Sequence, residues 1–493
     1  MMMPHLLMAY YGDDFTGSTD VMEALSRAGL RTVLFLRPPT AGQLADFPGL
    51  RAFGIAGGAR TLSPLEMDLE LPAALEALKA SGAPMIHYKI CSTFDSSPLV
   101  GSIGRAIEIG RRVFGDRPTP LVVGAPVLGR YVVFGNLFAR SGLDSELFRL
   151  DRHPTMSRHP VTPMKEADIQ RILADQTSLP VHRVDVLQLD SMGAAARDDG
   201  WESPPWPTAG IPSTPGQTPS GTSGESSAPI LIFDTLREEH LSTIGRELAR
   251  MARDTTLFVV GSSGIEYALV AHWRQLAQAA SEPGSKGGDP SVPSMTTTHP
   301  SDGTHAVAVQ PVEQLLCVSG SCSPVTDRQI SRAVDAGFRE IPIHARHLIR
   351  DNYEDAIRCS VLLESSRLLS GSRGLILHTS RGPADPRMLR GQRTLALASA
   401  RLGPGIAQLL EELLMTTGIR RAVVCGGDTS MAVARHLGIV ALEYLAPIAP
   451  GCPLCRVHAP GRIAHGCEIA FKGGQVGRDS FFLDALGTGS RSG

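Results

Sequence analysis

The stretch YGDDFTGSTDVMEALSRAG, Tyr11 to Gly29, decides the fold. It follows the apolar run LLMAYY, which reads as a first β-strand, and it leads through VMEALSRAG, a helix, into TVLFLR, a second strand. Strand, polar turn, helix, strand is the opening of an open α/β domain. Such sheets hold ligands at the carboxyl ends of their strands, so the polar turn is the place to look for a site. One capping residue would suffice to start a helix. GDDFTGST instead crowds two carboxylates and several hydroxyls into that turn. One of Asp13 and Asp14 can cap the helix. The other can face a cleft, accepting a substrate hydroxyl proton or binding Mg2+ through water. Thr16, Gly17 and Ser18 add hydroxyls and a close backbone approach. A capped helix start and nothing more is the plainer alternative.

Working outward, the first half holds further strand candidates in PMIHYKI (Pro84 to Ile90), PTPLVVGAPVLG, PILIFDT and TLFVVGSSG. Lys89 ends the first of these and can meet a carboxylate or a transferring phosphoryl group as a point charge. The loop after it, CSTFDSSP, carries Ser92, Thr93, Asp95 and Ser96, a dense set of donors and acceptors suited to a polyhydroxylated acid. If both loops top one sheet, Asp14 and Asp95 face one pocket with Lys89 between them. The alternative is a surface lysine followed by an Asx or Ser turn. Arg105 offers a further positive charge. LDRHPTMSRHPVTPM, Leu150 to Met164, combines Arg152, His153, Arg158 and His159 with three prolines. Proline stiffens such a loop, and Arg152 or Arg158 can grip a substrate carboxylate bidentately. Plain surface packing is the other reading. GSSGIEYAL, Gly261 to Leu269, has no cluster of charge and reads as packing.

The chain has 493 residues, room for two or three domains, and a formal charge of -2. That charge gives no reason to expect nucleic acid or a membrane surface as partner. No apolar run approaches a membrane span, and the N-terminus lacks the basic segment of a secretory signal. The eight cysteines are scattered, and a core of this size needs no disulfides, which points to a reducing cytoplasm. CPLC at Cys452 to Cys455, with His465 and Cys467, lacks a second well-spaced ligand pair, so these thiols read as unligated and no metal site is expected. Trp201 to Pro229 is too poor in apolar side chains to offset ordering and reads as a flexible insertion. A second polar stretch, about 281–303, marks a boundary between a domain at 1–300 and another at 301–493.

The second half repeats the strand-turn-helix pattern in QLLCVSGSCSPVTDRQI and AVVCGGDTS, with a further strand in GLILHTS and a long helix around Gly403 to Met415. KGGQVG, Lys472 to Gly477, is a third glycine turn. Helix starts present unsatisfied N–H groups and the positive end of a dipole to phosphate. Each contributes about 0.3–2 kcal/mol, so several must converge. The P-loop spelling GxxxxGK[ST] and a dinucleotide GxGxxG with its acidic partner are both absent.

Together YGDDFTGSTD, YKICSTFDSS, GSCSPVTDRQI, GGDTSMAV and the final KGG resemble the four-carbon acid sugar kinase family, in the family's order and over nearly the whole chain outside the two polar stretches. The resemblance implies two open α/β domains with an active-site cleft between them, the N-terminal one holding a sugar acid and the C-terminal one ATP, with Mg2+ bridging the phosphates. It implies a catalytic set of Asp14, Lys89 and Asp95, with Asp13 beside Asp14. From the reading of the residues themselves, Thr16, Ser92, Thr93, Arg152 and Arg158 join Asp13 as expected substrate contacts. The resemblance implies nucleotide contacts from Ser321 or Ser323, from Gly426, Gly427, Asp428 and Thr429, and near Gly474. KGGQVG departs from the family's frequent KSGNFG at that last contact. CSTFDS resembles the branch acting on 3-oxo-tetronates, and GDDFTGSTDVMEAL the subgroup acting on 3-oxo-isoapionate. The expected activity is ATP-dependent phosphorylation of the terminal hydroxyl of a 3-oxo acid sugar, with a homo-oligomer left open. An acid-sugar dehydrogenase and a non-catalytic metabolite-binding protein are the rivals.

Overall fold

Each apolar run named above forms a strand in the computed structural model, which describes residues 6–140, 146–158, 162–195, 227–280, 308–348, 355–387 and 392–488. The Pro/Ser-rich insertion up to residue 226 and the polar stretch at 281–303 lie outside the described residues. The chain divides into two compact units. The first comprises Met1–Asp14, Ala28–Arg31 and Pro38–Thr297, the second Phe15–Arg27, Thr32–Arg37 and Thr298–Gly493.

The first unit is built on seven parallel strands in the order Ala52–Ala56, Met8–Gly12, Met85–Lys89, Leu257–Gly261, Thr119–Val122, Ile230–Phe233, Val181–Val184. The first six are buried along their whole length, which is why they read as continuous apolar runs rather than alternating ones. The strand that follows Met8–Gly12 in this sheet lies on one side of it, and the next, Met85–Lys89, on the other. Their carboxyl ends therefore form a topological switch point, with Gly12 beside Lys89 and Lys89 beside Gly261.

A small antiparallel sheet, Arg130–Val133, Asn136–Arg140 and Leu147–Arg149, belongs to the same unit. Its first hairpin turns on Phe134 and Gly135, both at positive φ (48° and 75°), as a two-residue loop of the primed type requires. Phenylalanine is ill suited to that conformation. The buried Asp234 carboxylate holds the turn by accepting N–H bonds from Phe134 (2.6 Å), Gly135 (2.9 Å) and Val186 (3.2 Å). Burial pushes Asp234 up to about 6 against those bonds.

The second unit has five parallel strands, Arg339–Pro342, Gly374–His378, Leu315–Ser319, Arg421–Cys425 and Glu468–Lys472. Three antiparallel ones follow, Cys452–His458, Ala441–Ala449 and Thr32–Phe35. The helix Phe15–Arg27 packs here as well, Phe15 meeting the Phe471 ring edge-on at 4.9 Å. The expected helix around 403–415 is the latter part of Gln392–Thr417.

Glu23, on the same helix, accepts the Gly451 N–H at 2.9 Å. Burial, reinforced by the charge of Asp20, pushes its carboxyl up to about 8, outweighing Arg27 and the Gly451 bond. A folded pKa above the ordinary 4.5 means that the folded chain keeps this proton longer than the unfolded one. Its contribution is complete below the unfolded value and is lost as pH rises through the folded value. Stability of the second unit is therefore expected to fall between about pH 5 and pH 9. Glu23→Gln should flatten that fall, read as the denaturant midpoint against pH; parallel curves for the two proteins would reject it.

Candidate active site

Asp13 and Asp14 leave the first unit's sheet at its switch point. The Asp13 N–H donates to Lys89 O at 2.9 Å, which carries the strand ladder one rung further. Both carboxylates converge on Arg60, a residue the sequence reading passed over. Arg60 Nε reaches Asp13 Oδ2 at 3.2 Å; its Nη2 reaches Asp13 Oδ1 at 2.6 Å and Asp14 Oδ1 at 2.7 Å. Arg60 follows the strand Ala52–Ala56, and its N–H donates to Asp13 O at 3.0 Å. The available signal was FGIAGGAR, an arginine just past an apolar run.

The two acids are not equivalent. The Asp13 side chain is 5% exposed and doubly bound to Arg60, whereas that of Asp14 is 21% exposed. Burial pushes the Asp13 carboxyl up, Arg60 draws it down, and the charge of Asp14 adds to the rise. Burial also works against the Arg60 charge, but Asp13 and Asp14 outweigh it and hold the guanidinium firmly cationic. Asp13 is thereby a fixed partner of Arg60, and Asp14 offers the more accessible oxygen.

Lys89 is buried, its Nζ donating to Ile90 O at 3.1 Å. In the loop after it, Phe94 is buried at φ 55°, a strained conformation for an aromatic residue. Side-chain bonds hold that shape. Ser96 Oγ donates to Phe94 O at 3.1 Å, Gln176 Nε2 donates to Ser96 Oγ at 2.9 Å, and the Thr162 hydroxyl donates to Asp95 Oδ1. Thr93 Oγ1 lies 2.9 Å from Cys91 Sγ, and Ser92 is half-buried. Asp13 and Asp14 are thus joined through Arg60, and Lys89 meets Asp13 through the backbone, with Ser92, Thr93 and Asp95 on the loop that Lys89 opens.

Thr16 belongs to the second unit's helix, where its carbonyl accepts the Thr19 hydroxyl at 2.9 Å. Arg152 is exposed on the short turn Leu150–Arg152, with no hydrogen bond or ion pair to that cluster among the described residues. The Arg158 side chain and His159 lie outside the described residues. His153 is buried and organises its own loop, accepting the Thr155 and Met156 N–H groups at 3.2 Å. Arg105 is tied to Asp68 and Glu108 at 2.5 and 2.6 Å.

In the second unit Ser319 lies beside Cys425, and Cys425 beside Lys472, so three turns leave the sheet together. Their spacing demands glycine. A Cβ on Gly320 would stand 2.3 Å from Thr429 Oγ1, and one on Gly474 would stand 2.9 Å from Ser321 Oγ and 3.2 Å from Ser323 Cβ. Gly426 has φ 111°. Ser323 caps the helix Pro324–Asp335 by accepting the Val325 N–H, and Ser321 Oγ accepts the Ser323 N–H at 3.2 Å. The helix Gly427–His436 starts with no side-chain cap, and its Gly427 and Asp428 are exposed, which leaves backbone donors open to an anion. Lys472, fully buried, ties the group together: its Nζ donates to Thr326 Oγ1 (3.1 Å), Gly473 O (3.0 Å) and Gly474 O (3.2 Å).

If this turn holds a nucleotide, as the resemblance implies, Gly474→Ala is expected to raise the KM for nucleotide by about 10-fold, since the added methyl displaces Ser321. The KM for the acid substrate should not move. An unchanged nucleotide KM would remove this turn from the nucleotide site.

Among the described residues no group of three or more His, Cys, Asp or Glu side chains is placed to hold a metal ion. The eight cysteines are unpaired thiols, and Cys452, Cys455 and Cys467 are buried. No described helix is long and apolar enough to cross a membrane.

Residues 8–269 match a family model described as a sugar-binding N-terminal domain, and residues 316–482 one described as a nucleotide-binding C-terminal domain. The chain is 41% identical to the 3-oxo-isoapionate kinase of Paraburkholderia graminis, over 97% of this chain and 93% of that one. The chain belongs to the four-carbon acid sugar kinase family. Another member, the 3-oxo-tetronate kinase of Methylobacterium radiotolerans, is 28% identical over 98% of this chain and 99% of its own. The family fold is shared by a solved protein of Salmonella typhimurium LT2, with TM-score 0.70 and 24% identity, covering 97% of this chain and 98% of that one.

Proposed function

We propose that the protein is an ATP-dependent kinase acting on 3-oxo-isoapionate, and that it phosphorylates the 4-hydroxyl. The observation that carries this reading is the 41% identity, over almost the full length of both chains, to a 3-oxo-isoapionate kinase, against 27–29% for several 3-oxo-tetronate kinases. In this reading Asp14 accepts the proton of the attacking hydroxyl, while Arg60 and Asp13 fix its position. Lys89 offsets charge on the transferring group. Ser92, Thr93 and Asp95 contact the hydroxyls of the substrate. Ser321, the open helix start at Gly426, Gly427, Asp428 and Thr429, and the turn at Gly474 hold the phosphates of ATP. Phosphoryl transfer asks mainly for positioning and charge compensation, and these groups supply both.

Mg2+ would be brought by the nucleotide and would supply charge compensation on its phosphates. A hard cation of this size takes phosphate oxygens and water with one or two carboxylates, so a pre-built protein cage would not be needed. Eight unpaired cysteines favour a reducing cytoplasm as the setting. The test is purified protein with ATP, Mg2+ and a panel of 3-oxo acid sugars, read by ADP release and product mass. ADP release with a product heavier by one phosphoryl group is expected, fastest with 3-oxo-isoapionate. Nicotinamide reduction without ADP would move the protein to the dehydrogenases, and binding without turnover to the sensors.

A further inference from the structure

Arg130 opens the small antiparallel sheet and is bridged through its backbone to Ala125, just past the carboxyl end of Thr119–Val122. Its guanidinium is oriented from one end only. Nη1 donates to three backbone carbonyls, Leu128 O at 3.1 Å, Gly129 O at 3.2 Å and Arg140 O at 3.0 Å. Nε is shut off from solvent with no partner, and Nη2 has none among the described residues. The Nε–Nη2 edge is one of the two that pair side-on with a carboxylate.

Other arginines of this unit are matched by acids: Arg60 by Asp13 and Asp14, Arg105 by Asp68 and Glu108, Arg111 by Asp116. Arg130 has no carboxylate against it among the described residues. Burial works against its charge. Val122 lies beside Gly261 and Gly261 beside Lys89, so the unmatched guanidinium, bridged to Ala125, leaves the sheet at the same carboxyl edge as the loop that carries Ser92, Thr93 and Asp95. A partly buried cation with an orphaned N–H is costly unless an anion completes it.

We infer that Arg130 receives the carboxylate of the acid substrate on its Nε–Nη2 side and so sets the enzyme's preference for acids over neutral sugars. The inference rests on the acid-sugar kinase reading and adds the group that recognises the acid end. Arginine suits the task better than lysine, because its planar fork matches a carboxylate in two places.

The test uses the full chain without nucleotide, titrated with erythronate, a four-carbon polyhydroxy acid, and with its neutral counterpart erythritol. Arg130→Gln is expected to weaken erythronate binding by about 30-fold or more, the loss of a charged hydrogen-bonded pair. Arg130→Lys, which keeps the charge without the fork, should recover part of that loss. In turnover, the KM for the acid should rise with kcat little changed, and thermal melting shows whether each variant is folded. Erythronate binding by Arg130→Gln within about threefold of wild type, or wild type binding erythritol as tightly as erythronate, would overturn the inference. An active acid-sugar kinase whose KM is untouched by Arg130→Gln overturns it alone. Arg130-dependent erythronate binding with no phosphoryl transfer supports it while overturning the kinase reading.

Discussion

Asp14→Asn is expected to lower kcat by about 10²–10⁴-fold, the usual worth of a positioned general base. Asparagine keeps the size of the side chain and an oxygen for Arg60 Nη2, which lies 2.7 Å from Asp14 Oδ1, so the turn should keep its shape. It cannot take up a proton. Asp13 is a poor substitute, being more buried and bound twice by the same guanidinium. The KM for ATP should be unchanged, because the glycine turns proposed to hold it belong to the second unit. Turnover within about threefold of wild type would remove Asp14 from the chemistry. A loss confined to Asp95→Asn would move the base to a carboxylate that already accepts the Thr162 hydroxyl.

A second large effect is expected well away from the reacting groups. His87 and Glu266 are both fully buried, with Nδ1 2.6 Å from Oε1. The other ring nitrogen, Nε2, lies 3.0 Å from Gly261 O and must donate, since a carbonyl only accepts. Glu266→Ala leaves the ring's Nδ1 without its partner and should destabilise the first unit by about 3–5 kcal/mol, the cost of breaking a buried pair from one side. Replacing both residues by leucine removes the two polar groups together and should cost far less. Denaturant midpoints of the single and double variants measure the difference. A Glu266→Ala midpoint equivalent to less than about 0.5 kcal/mol would show that the pair is not needed. Activity should fall with stability, because Gly261 lies beside Lys89 and its carbonyl also accepts the Ile90 N–H at 2.8 Å.

The pair also shows what sequence reading captures and what it misses. GSSGIEYAL read as packing, and packing is what the helix Gly264–Ala280 provides, yet nothing in its spelling announced that Glu266 would meet a histidine 179 residues earlier. The strands that were legible were so because a parallel sheet buries both faces, so MAYYG, LFVVG and RAVVC are buried runs without alternation. The glycine turns were legible for a similar reason. A Cβ at Gly320 or Gly474 would collide with a neighbouring loop, so the residue type reports the crowding.

Arg60 and Arg130 were not legible. Each is one arginine among many until the fold shows that one is saturated by two aspartates and the other is matched by none among the described residues. The basic loop at Leu150 to Met164 drew attention instead through composition, but Arg152 is exposed there and His153 serves the loop itself.

Sequence by itself determined the α/β class, nine of the eighteen described strands and the family, because these follow from local periodicity, turn chemistry and motif order. Only the tertiary structure decided which charges meet. It placed Arg60 against Asp13 and Asp14, distinguished the buried acid from the accessible one, and gave Phe15–Arg27 and Thr32–Arg37 to the second unit. The physical reason is the same in each case. Strand pairing and ion pairing join residues far apart in the chain, and their partners are chosen by burial and register, which local sequence does not encode.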